Sequence, residues 1–323
     1  MQPYNPGKPN LQAFADTLLE LAENDPDILA VTSDSRGSAR LGHFGKQRPQ
    51  QIIEMGIAEQ NLVGVSAGLA AAGKKVFAVS PACFLTTRSL EQIKNDVAYS
   101  DQPVKVVGIS AGVSYGALGT THHSLHDLAA LQAFHNIDII VPADNFETEQ
   151  AVRQAAHHPR PVYLRFGKKA MPDLHGLGTQ FTIGKAIRLR EGTDVAFIAI
   201  GETVHPALLA ADRLAAQGIT SSVLSLHTLR PLDEEAILET VQNCRALVTV
   251  EEHSVNGGLG SRVASLLMQH GLFRPLSIVG IPDAYTITGS QVEVFDYYGI
   301  SAEGLAGTAT ALLERNSDER RQS

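Results

Sequence analysis

Hydrophobic runs alternate with amphipathic stretches along the first half of the chain. Apolar residues recur at helical spacing from Leu11 to Ala22, and a short apolar run at 28–32 follows Asp25 and Pro26. The same alternation predicts further strands at 75–79, 104–109, 137–142 and 161–165, and further helices at 60–72, 88–99, 125–134 and 146–157. Strands that are apolar throughout and alternate with helices indicate a mainly parallel sheet covered on both faces.

This periodicity stops and then restarts. Residues 167–182 collect glycine, proline and charge, which is typical of a linker. Beyond them the pattern predicts strands at 195–200, 222–225, 246–250 and 276–279, and helices at 204–217, 233–244 and 260–270. We therefore predict an α/β fold of two doubly wound domains, a first at 1–170 and a smaller second at 183–315. The tail at 316–323 has no core-forming side chain and is expected to fray.

Composition and charge narrow the function classes. A chain of 323 residues with 44% hydrophobic residues can bury a large core in two domains. Its net charge of -8 argues against a nucleic-acid or anionic-membrane surface, because such partners attract basic faces. Cys83 and Cys244 form no CxxC pair, and the chain shows neither a signal segment nor a membrane-length apolar run. We expect a cytoplasmic protein whose partners are small molecules and other proteins.

Glu59 is the most informative single residue. It lies in MGIAEQN at 55–61, directly before a helix of small apolar residues, so we expect a buried carboxyl group. Such a group must find a hydrogen-bond partner or stay protonated. The alternative is an ordinary helix-start glutamate, stabilised by about 0.3–1 kcal/mol through the helix dipole. Gly64 and Gly68 in the same helix would let another backbone approach closely.

Polar side chains also follow the predicted strands at their carboxyl ends, where ligands bind in such folds. The stretches are Asp34–Ser38, Phe84–Arg88, Ser110–His123 and Arg165. His122 and His123 follow a glycine-rich turn and could donate hydrogen bonds or shuttle protons. Four alternatives remain open. The two histidines could ligate zinc, or His123 could be a solvated loop residue. Phe84 could be a core residue, and Arg165 could form a surface ion pair.

In their order along the chain these segments resemble the transketolase family, specifically the carboxyl-terminal chain of split, two-subunit transketolases. The specific motifs are GIAEQN and EEHSVNGGLGS, supported by SDSRGS, FLTTRSLEQ, TTHH, VPADNFET and PVYLRFG. The resemblance covers nearly the whole chain. It implies a pyrimidine-binding domain followed by a transketolase C-terminal domain, with thiamine diphosphate as cofactor. It also implies that Glu59 bonds the ring nitrogen of the aminopyrimidine and drives formation of its imino tautomer.

The resemblance assigns further roles around Glu59. Phe84 is expected to stack on the pyrimidine, and Asp34 to lie beside the cofactor and the subunit contact. Contacts to the sugar phosphate or to donor hydroxyls are assigned to Ser38, His122, His123 and Arg165. Glu59 and His122 are the expected catalytic residues.

A missing motif predicts a partner. Enzymes of this type bind Mg²⁺ and the diphosphate through Gly-Asp-Gly followed by an asparagine, and Gly-Asp-Gly does not occur in this sequence. We therefore expect no metal ligand in this chain, inactivity of the chain alone, and a separate amino-terminal subunit that supplies those ligands. We predict a heterotetramer with two copies of each chain, the helix after Glu59 being a candidate contact surface.

Departures from the family pattern bear on the substrate. Ser110 replaces a histidine, Leu118 replaces a donor-binding aspartate, and Ala117 lies beside it. Losing such groups removes hydrogen bonds to a hydroxyl of fixed configuration, an effect of about 1–3 kcal/mol. We expect an unusual or branched donor such as apulose 4-phosphate, with an aldose phosphate such as glyceraldehyde 3-phosphate as acceptor.

Three other functions are weighed. They are the beta subunit of a 2-oxoacid dehydrogenase, a 1-deoxy-D-xylulose-5-phosphate-synthase-like enzyme, and a non-enzymatic regulatory half. The intact Glu59, Phe84 and His122 set argues against the last. In the second domain, His227, His253 and the glycines at 257–260 look structural, and the helix after them is expected to pack between subunits as an assembly element.

Overall fold

Two sheets organise the chain. The computed structural model describes the backbone of residues 4–322 and the side chains of residues 4–315. The strands are β1 Ile28–Thr32, β2 Ile52–Glu54, β3 Lys75–Pro81, β4 Lys105–Ile109, β5 Asp138–Ile140, β6 Val162–Arg165, β7 Ile187–Arg190, β8 Val195–Ala199, β9 Ser221–Ser225, β10 Thr228–Arg230, β11 Ala246–Ser254 and β12 Leu276–Ile281.

Helices flank both sheets. The α-helices are α1 Asn10–Asn24, α2 Gly42–Gln47, α3 Glu59–Ala71, α4 Ala82–Arg88, α5 Leu90–Gln92, α6 Asp127–Gln132, α7 Asn145–His157, α8 Val204–Ala215, α9 Glu234–Asn243, α10 Leu259–Gln269, α11 Gln291–Tyr297 and α12 Ala302–Gln322. A π-helix at Ile93–Tyr99 and 3-10 helices at Gly116–Thr121 and Gly201–Thr203 complete them.

The first sheet has the strand order β10-β5-β6-β4-β3-β1-β2. Its strands pair in parallel except β10, which comes from the second half of the chain and pairs antiparallel with β5. The second sheet has the order β12-β11-β8-β9-β7 and is parallel except for β7. The predicted fold class, two doubly wound α/β domains, is confirmed. The sequence did not predict that the second half also supplies an edge strand to the first sheet.

Apolar burial explains this architecture. Every residue of β1, β4, β8 and β9 is buried, as expected for strands covered on both faces. One apolar cluster joins the domains without interruption: Leu62 and Tyr163 of the first half belong to the same cluster as Ile198 and Val263 of the second. The two halves therefore share part of their core, while two further clusters lie mainly within one half each.

Several local predictions need correction. Helix α3 is buried on one face only, and Gly68 on its other face is exposed. The helix expected at 88–99 is divided into α4, α5 and the π-helix. The apolar face of α10, including Leu259 and Val263, is buried in the core of its own chain, so this face is not available to pack between subunits.

The last helix of the chain reaches the end of the described residues. The backbone is helical to Gln322. The side chains of the tail at 316–323 lie outside the described residues, so its fraying stays a prediction. Within residues 4–322, no helix is long and apolar enough to cross a bilayer.

Candidate functional site

The loops that leave β1, β2, β3 and β4 at their carboxyl ends form one rim of the first sheet. These strands are neighbours and run in the same direction, so the segments that follow them meet at one edge. Asp34 follows β1, Glu59 follows β2, Phe84 lies in α4 after β3, and His122 lies in the loop after β4.

Glu59 begins helix α3 and is nearly enclosed. Its side chain is 4% exposed, and its Oε1 accepts a hydrogen bond from Arg88 Nη1 at 2.8 Å. The amino end of a helix also favours a negative charge. The expected burial of this carboxyl is observed, and its partner among the described residues is an arginine whose own side chain is 48% exposed.

Arg88 also covers an aromatic face. Its guanidinium carbon lies 4.3 Å from the centroid of the Phe84 ring, a cation–π contact. Phe84 and Arg88 are four residues apart in α4, which places both on one face of the helix. A flat cationic group thus lies between a buried carboxylate and a benzene ring.

The cluster continues from Phe84 to the loop after β4. The ring of His122 meets the edges of both Phe84 and Tyr115, with each centroid distance 5.3 Å. His122 Nδ1 lies 2.9 Å from the Thr121 hydroxyl, which orients the ring. Lys168 Nζ lies 4.6 Å from the Tyr115 ring centroid. Glu59, Phe84 and His122 are therefore brought together, with Arg88 and Tyr115 between and beside them.

Asp34 and Ser38 lie on the neighbouring loop and are both exposed. Asp34 has φ +52, and its backbone N–H donates to Glu54 Oε1 at 2.6 Å. The same oxygen accepts from the N–H of Gly56 at 3.1 Å. Glu54 therefore ties the loop that carries Asp34 to the segment that leads into Glu59.

His123 is turned inward, unlike its neighbour. It is 4% exposed, its Nε2 lies 3.0 Å from the Gly116 carbonyl oxygen, and its buried Nδ1 has no protein partner in the described part of the chain. Burial lowers the pKa of His123, so the ring is neutral at pH 7. This geometry favours a residue that shapes the 116–121 turn over one that contacts substrate directly.

Arg165 is buried and is not part of the exposed cluster, and its expected contact with the substrate stays a prediction. Its guanidinium is buried, with Nε donating to Asp127 Oδ2 at 2.8 Å and Nη2 donating to the carbonyls of Ser124 and Glu252. Tyr163 also donates to Asp127 Oδ2. The guanidinium is held by groups from both domains, which favours a structural role for Arg165 over a sugar-phosphate contact.

The second domain holds the loop of His122 in place. Glu252 Oε1 accepts from the N–H of Val113 at 2.9 Å, and Ser254 donates its N–H to the Leu125 carbonyl. Gly112 has φ +61, and a Cβ there would lie 2.2 Å from the Glu252 carboxyl carbon, so only glycine fits. His253 is fully buried beside Asp127, which supports the predicted structural role. This domain therefore supports the loop of His122, and its predicted role in assembly stays a prediction.

The three positions that depart from the family pattern differ in exposure. Ser110 is fully buried with φ +52, whereas Ala117 and Leu118 are exposed on the turn before His122. Leu118 is 56% exposed, an apolar side chain facing outward beside the rim.

Arg88 and Tyr115 lie in two of the polar stretches named from the sequence, but neither was assigned a role. The four-residue spacing of Phe84 and Arg88, together with the expected need of Glu59 for a partner, was the available signal for Arg88. For Tyr115 the sequence carried no comparable signal, because its contact with His122 depends on the turn at 116–121.

The cluster fits half of a thiamine diphosphate site. A buried carboxylate and an aromatic face suit an aminopyrimidine, and the flat guanidinium of Arg88 now contacts both. Among the described residues, no group of three or more His, Cys, Asp or Glu side chains is arranged to hold a metal ion. The fold and this rim are of the class found in thiamine diphosphate enzymes, with residues that suit the pyrimidine half of the cofactor.

The chain belongs to the transketolase family. The model of the transketolase pyrimidine-binding domain matches residues 9–173, and that of the transketolase C-terminal domain matches residues 184–305. The resemblance predicted from the sequence is thereby confirmed.

Relatives of nearly the same length support this assignment. The chain is 47% identical to an apulose-4-phosphate transketolase subunit of Phocaeicola vulgatus, over 94% of this chain and 97% of that one. A solved split gene transketolase, described as an inactive beta4 tetramer, superposes with a TM-score of 0.86 at 34% identity over 95% of this chain and 99% of that one. The chain is 33% identical to a 1-deoxy-D-xylulose-5-phosphate synthase of Syntrophotalea carbinolica but spans only 48% of its length.

Proposed function

We propose that this chain is the C-terminal subunit of a split, thiamine diphosphate-dependent transketolase, which transfers a two-carbon ketol unit from a ketose phosphate to an aldose phosphate. The observation that supports it best is the enclosed Glu59 carboxylate next to the Phe84 ring. When bound, thiamine diphosphate supplies the carbanion chemistry. The residues of this chain bind and orient its aminopyrimidine.

Glu59 and Phe84 have separate tasks in this proposal. The carboxyl of Glu59 shares a proton with the pyrimidine ring nitrogen, a bond strengthened by the low dielectric around a 4% exposed side chain. The face of Phe84 holds the ring plane once the Arg88 guanidinium moves aside. Arg88 can move because it is half exposed.

His122 lies where a substrate would meet this pair. Its ring is fixed by contacts with Phe84, Tyr115 and the Thr121 hydroxyl. We assign it a hydrogen bond or proton transfer to a hydroxyl of the ketose, with Asp34 and Ser38 contributing from the neighbouring exposed loop. His123 supports the turn, and Arg165 supports the loop from beneath.

A second subunit completes the site. We infer that a separate amino-terminal transketolase subunit supplies the Mg²⁺ and diphosphate ligands, in a heterotetramer with two copies of each chain. Ile57, two residues before Glu59, is 73% exposed, and nothing lies within 4 Å of a Cβ placed on Gly68. Ile57 is an exposed apolar side chain and Gly68 is an exposed small residue, and both are close to Glu59 in sequence. This supports a partner contact at the exposed surface of α3.

The donor is proposed to be a branched ketose phosphate such as apulose 4-phosphate, with glyceraldehyde 3-phosphate as an acceptor. The relative from Phocaeicola vulgatus carries the name of this donor at 47% identity. Leu118, beside the rim, cannot hydrogen-bond a hydroxyl of the donor, which fits a donor that has no hydroxyl at this position. Both cysteines are buried and free, which supports a cytoplasmic location.

The experiment mixes this chain with the amino-terminal subunit, thiamine diphosphate and Mg²⁺, and follows ketol transfer from apulose 4-phosphate and from xylulose 5-phosphate. We expect transfer only when both chains are present. Glu59→Gln should abolish it, and Glu23→Gln on the exposed surface of α1 is the matched control. Decarboxylation of a 2-oxoacid by the pair would replace this proposal with the dehydrogenase subunit.

A further inference from the structure

Three arginines from separate segments line one cavity at the edge of the first sheet opposite the candidate site. Arg160 precedes β6, Arg230 ends β10, and Arg262 lies in α10. The cavity has a volume of about 510 Å³, and its other lining residues are Gln132, Asp138, Leu229, Pro231, Leu232 and Glu234. It lies at the amino ends of β5 and β6, so it is separate from the rim that holds Glu59.

The carboxylates of the cavity are already engaged. Asp138 accepts from His158 Nε2 at 2.8 Å and pairs with Arg160 at 3.3 Å. Glu234 lies 3.7 Å from Arg262 and begins helix α9, whose dipole also favours its charge. Three guanidinium groups against two carboxylates leave an excess of one positive charge in the cavity, on a chain whose net charge is -8.

Arg230 is the guanidinium without a carboxylate. Its Nη1 donates to the carbonyls of Gln132 and Phe134 at the end of α6, and no carboxylate of the described residues lies within 4.0 Å of it. Burial lowers the pKa of Arg230, the charges of Arg160 and Arg262 lower it further, and the charge of Asp138 partly opposes them. Arg230 thus lies among like charges, and no carboxylate of the described residues is in contact with it.

Guanidinium forks match oxyanions, and three of them suit a group with several acceptor oxygens. We propose that this cavity binds a phosphoryl group, either free phosphate or the phosphate of a small ester. The volume is sufficient for a small phosphorylated molecule. Because Arg160 belongs to the first domain and Arg230 and Arg262 to the second, the bound anion would join the two domains.

The test is calorimetric titration of the full chain without its partner subunit, at constant ionic strength. Inorganic phosphate, pyrophosphate and glycerol 3-phosphate are the three probes. At least one should bind, and its binding should raise the melting temperature of the chain. Preference for glycerol 3-phosphate over inorganic phosphate identifies an ester as the ligand, whereas the reverse order identifies a free phosphate.

Two variants and a control make the result specific. Arg262→Gln should weaken binding at least about tenfold, as expected for one lost charge-assisted bond, and Arg230→Lys should also weaken it because lysine has no fork. Arg213→Gln, an exposed arginine on α8, should leave binding unchanged. The proposal is overturned if none of the three probes binds, or if Arg213→Gln weakens binding as much as Arg262→Gln.

Discussion

At the scale of single residues, Arg88 forms two contacts that a bound aminopyrimidine would take over. It donates to Glu59 Oε1 and covers the Phe84 ring. The Arg88 guanidinium is planar, donates to a carboxylate and lies on an aromatic face. In shape and hydrogen bonding it resembles the expected heterocycle. In the proposed site Arg88 would therefore compete with the cofactor, and without the cofactor it compensates the buried charge of Glu59.

This competition gives the first prediction. In the assembled complex, Arg88→Ala should tighten thiamine diphosphate binding by roughly two- to tenfold, because an ion pair with one exposed partner contributes only about 0.2–1 kcal/mol plus its ring contact. Arg88→Lys keeps the charge and loses the planar group, so its affinity for thiamine diphosphate should lie between those of the native chain and Arg88→Ala. The dissociation constant is measured by calorimetry at saturating Mg²⁺. Weaker binding by Arg88→Ala would instead make Arg88 a residue that holds the cofactor.

How far the sequence predicts such residues depends on whether their partners are local. The apolar neighbours of Glu59 are adjacent in the chain, so its burial was foreseeable. Arg88 is 29 residues away from Glu59, and only the packing of α3 beside α4 brings the two together. Arg165 illustrates the same limit, because Asp127 is 38 residues away in the chain and the carbonyl of Glu252 reaches it only where the two domains join.

At the scale of elements, one buried ion pair joins β6 to α6 inside the first domain, and its arginine also donates to a carbonyl of the second domain. Arg165 on β6 and Asp127 at the start of α6 are buried together, and burial alone would raise the pKa of Asp127. The guanidinium of Arg165, together with His253 and the Tyr163 hydroxyl, outweighs that effect and lowers the pKa of Asp127. The pair thus depends on both partners being present.

The second prediction follows from this dependence. Arg165→Met should lower the free energy of unfolding by about 3–5 kcal/mol, because it leaves Asp127 charged and buried without its partner. The double variant Arg165→Met, Asp127→Asn should recover part of that loss. Arg153→Met, which breaks the surface pair with Glu20, serves as the control and should cost less than about 1 kcal/mol. Urea unfolding measures the free energy of unfolding of the three variants. Equal losses of stability in Arg165→Met and Arg153→Met would refute the argument.

Elements were predictable where their periodicity was long. Helices α1, α3 and α7 and the central strands followed the expected pattern closely. Strands β2, β7 and β10 were missed, since each has only three or four residues and gains its stability from pairing with a distant segment. The π-helix at Ile93–Tyr99 was missed for a related reason: its extra residue per turn leaves no mark on the apolar pattern.

At the scale of the whole molecule, the domain boundary contains a buried pair of acids. Glu202 precedes α8 and Glu252 lies on β11, and Gln291 Nε2 donates to both, at 2.9 Å and 2.8 Å. Lys169 of the linker and Arg165 of β6 are the charged neighbours that favour ionisation of Glu202. The sequence predicted two domains and a linker, but not that these acids would meet where the domains join.

The pair predicts how stability depends on pH. Burial, and next the charge of Glu252, raise the pKa of Glu202 from 4.5 to about 8, so the folded chain holds a proton there that the unfolded chain has released. Between pH 4.5 and about pH 8 the folded state binds more protons, and its stability must fall as the pH rises. Over this range the stability that is lost is on the order of 5 kcal/mol.

His175, whose pKa is raised to about 9, also loses its contribution to stability as the pH rises, so the total slope does not isolate Glu202. The prediction therefore concerns the difference between the native chain and Glu202→Gln, which keeps the shape of the side chain and cannot ionise. We expect Glu202→Gln to be of similar stability near pH 5 and clearly more stable than the native chain at pH 8.5, measured by urea unfolding at matched salt. His175→Gln should change the slope independently, because His175 is paired with Asp144 and Glu147 rather than with the Glu202 cluster. A constant difference between the native chain and Glu202→Gln across this range would mean that Glu202 is ionised in the folded protein, and that the joined domains tolerate two adjacent carboxylates.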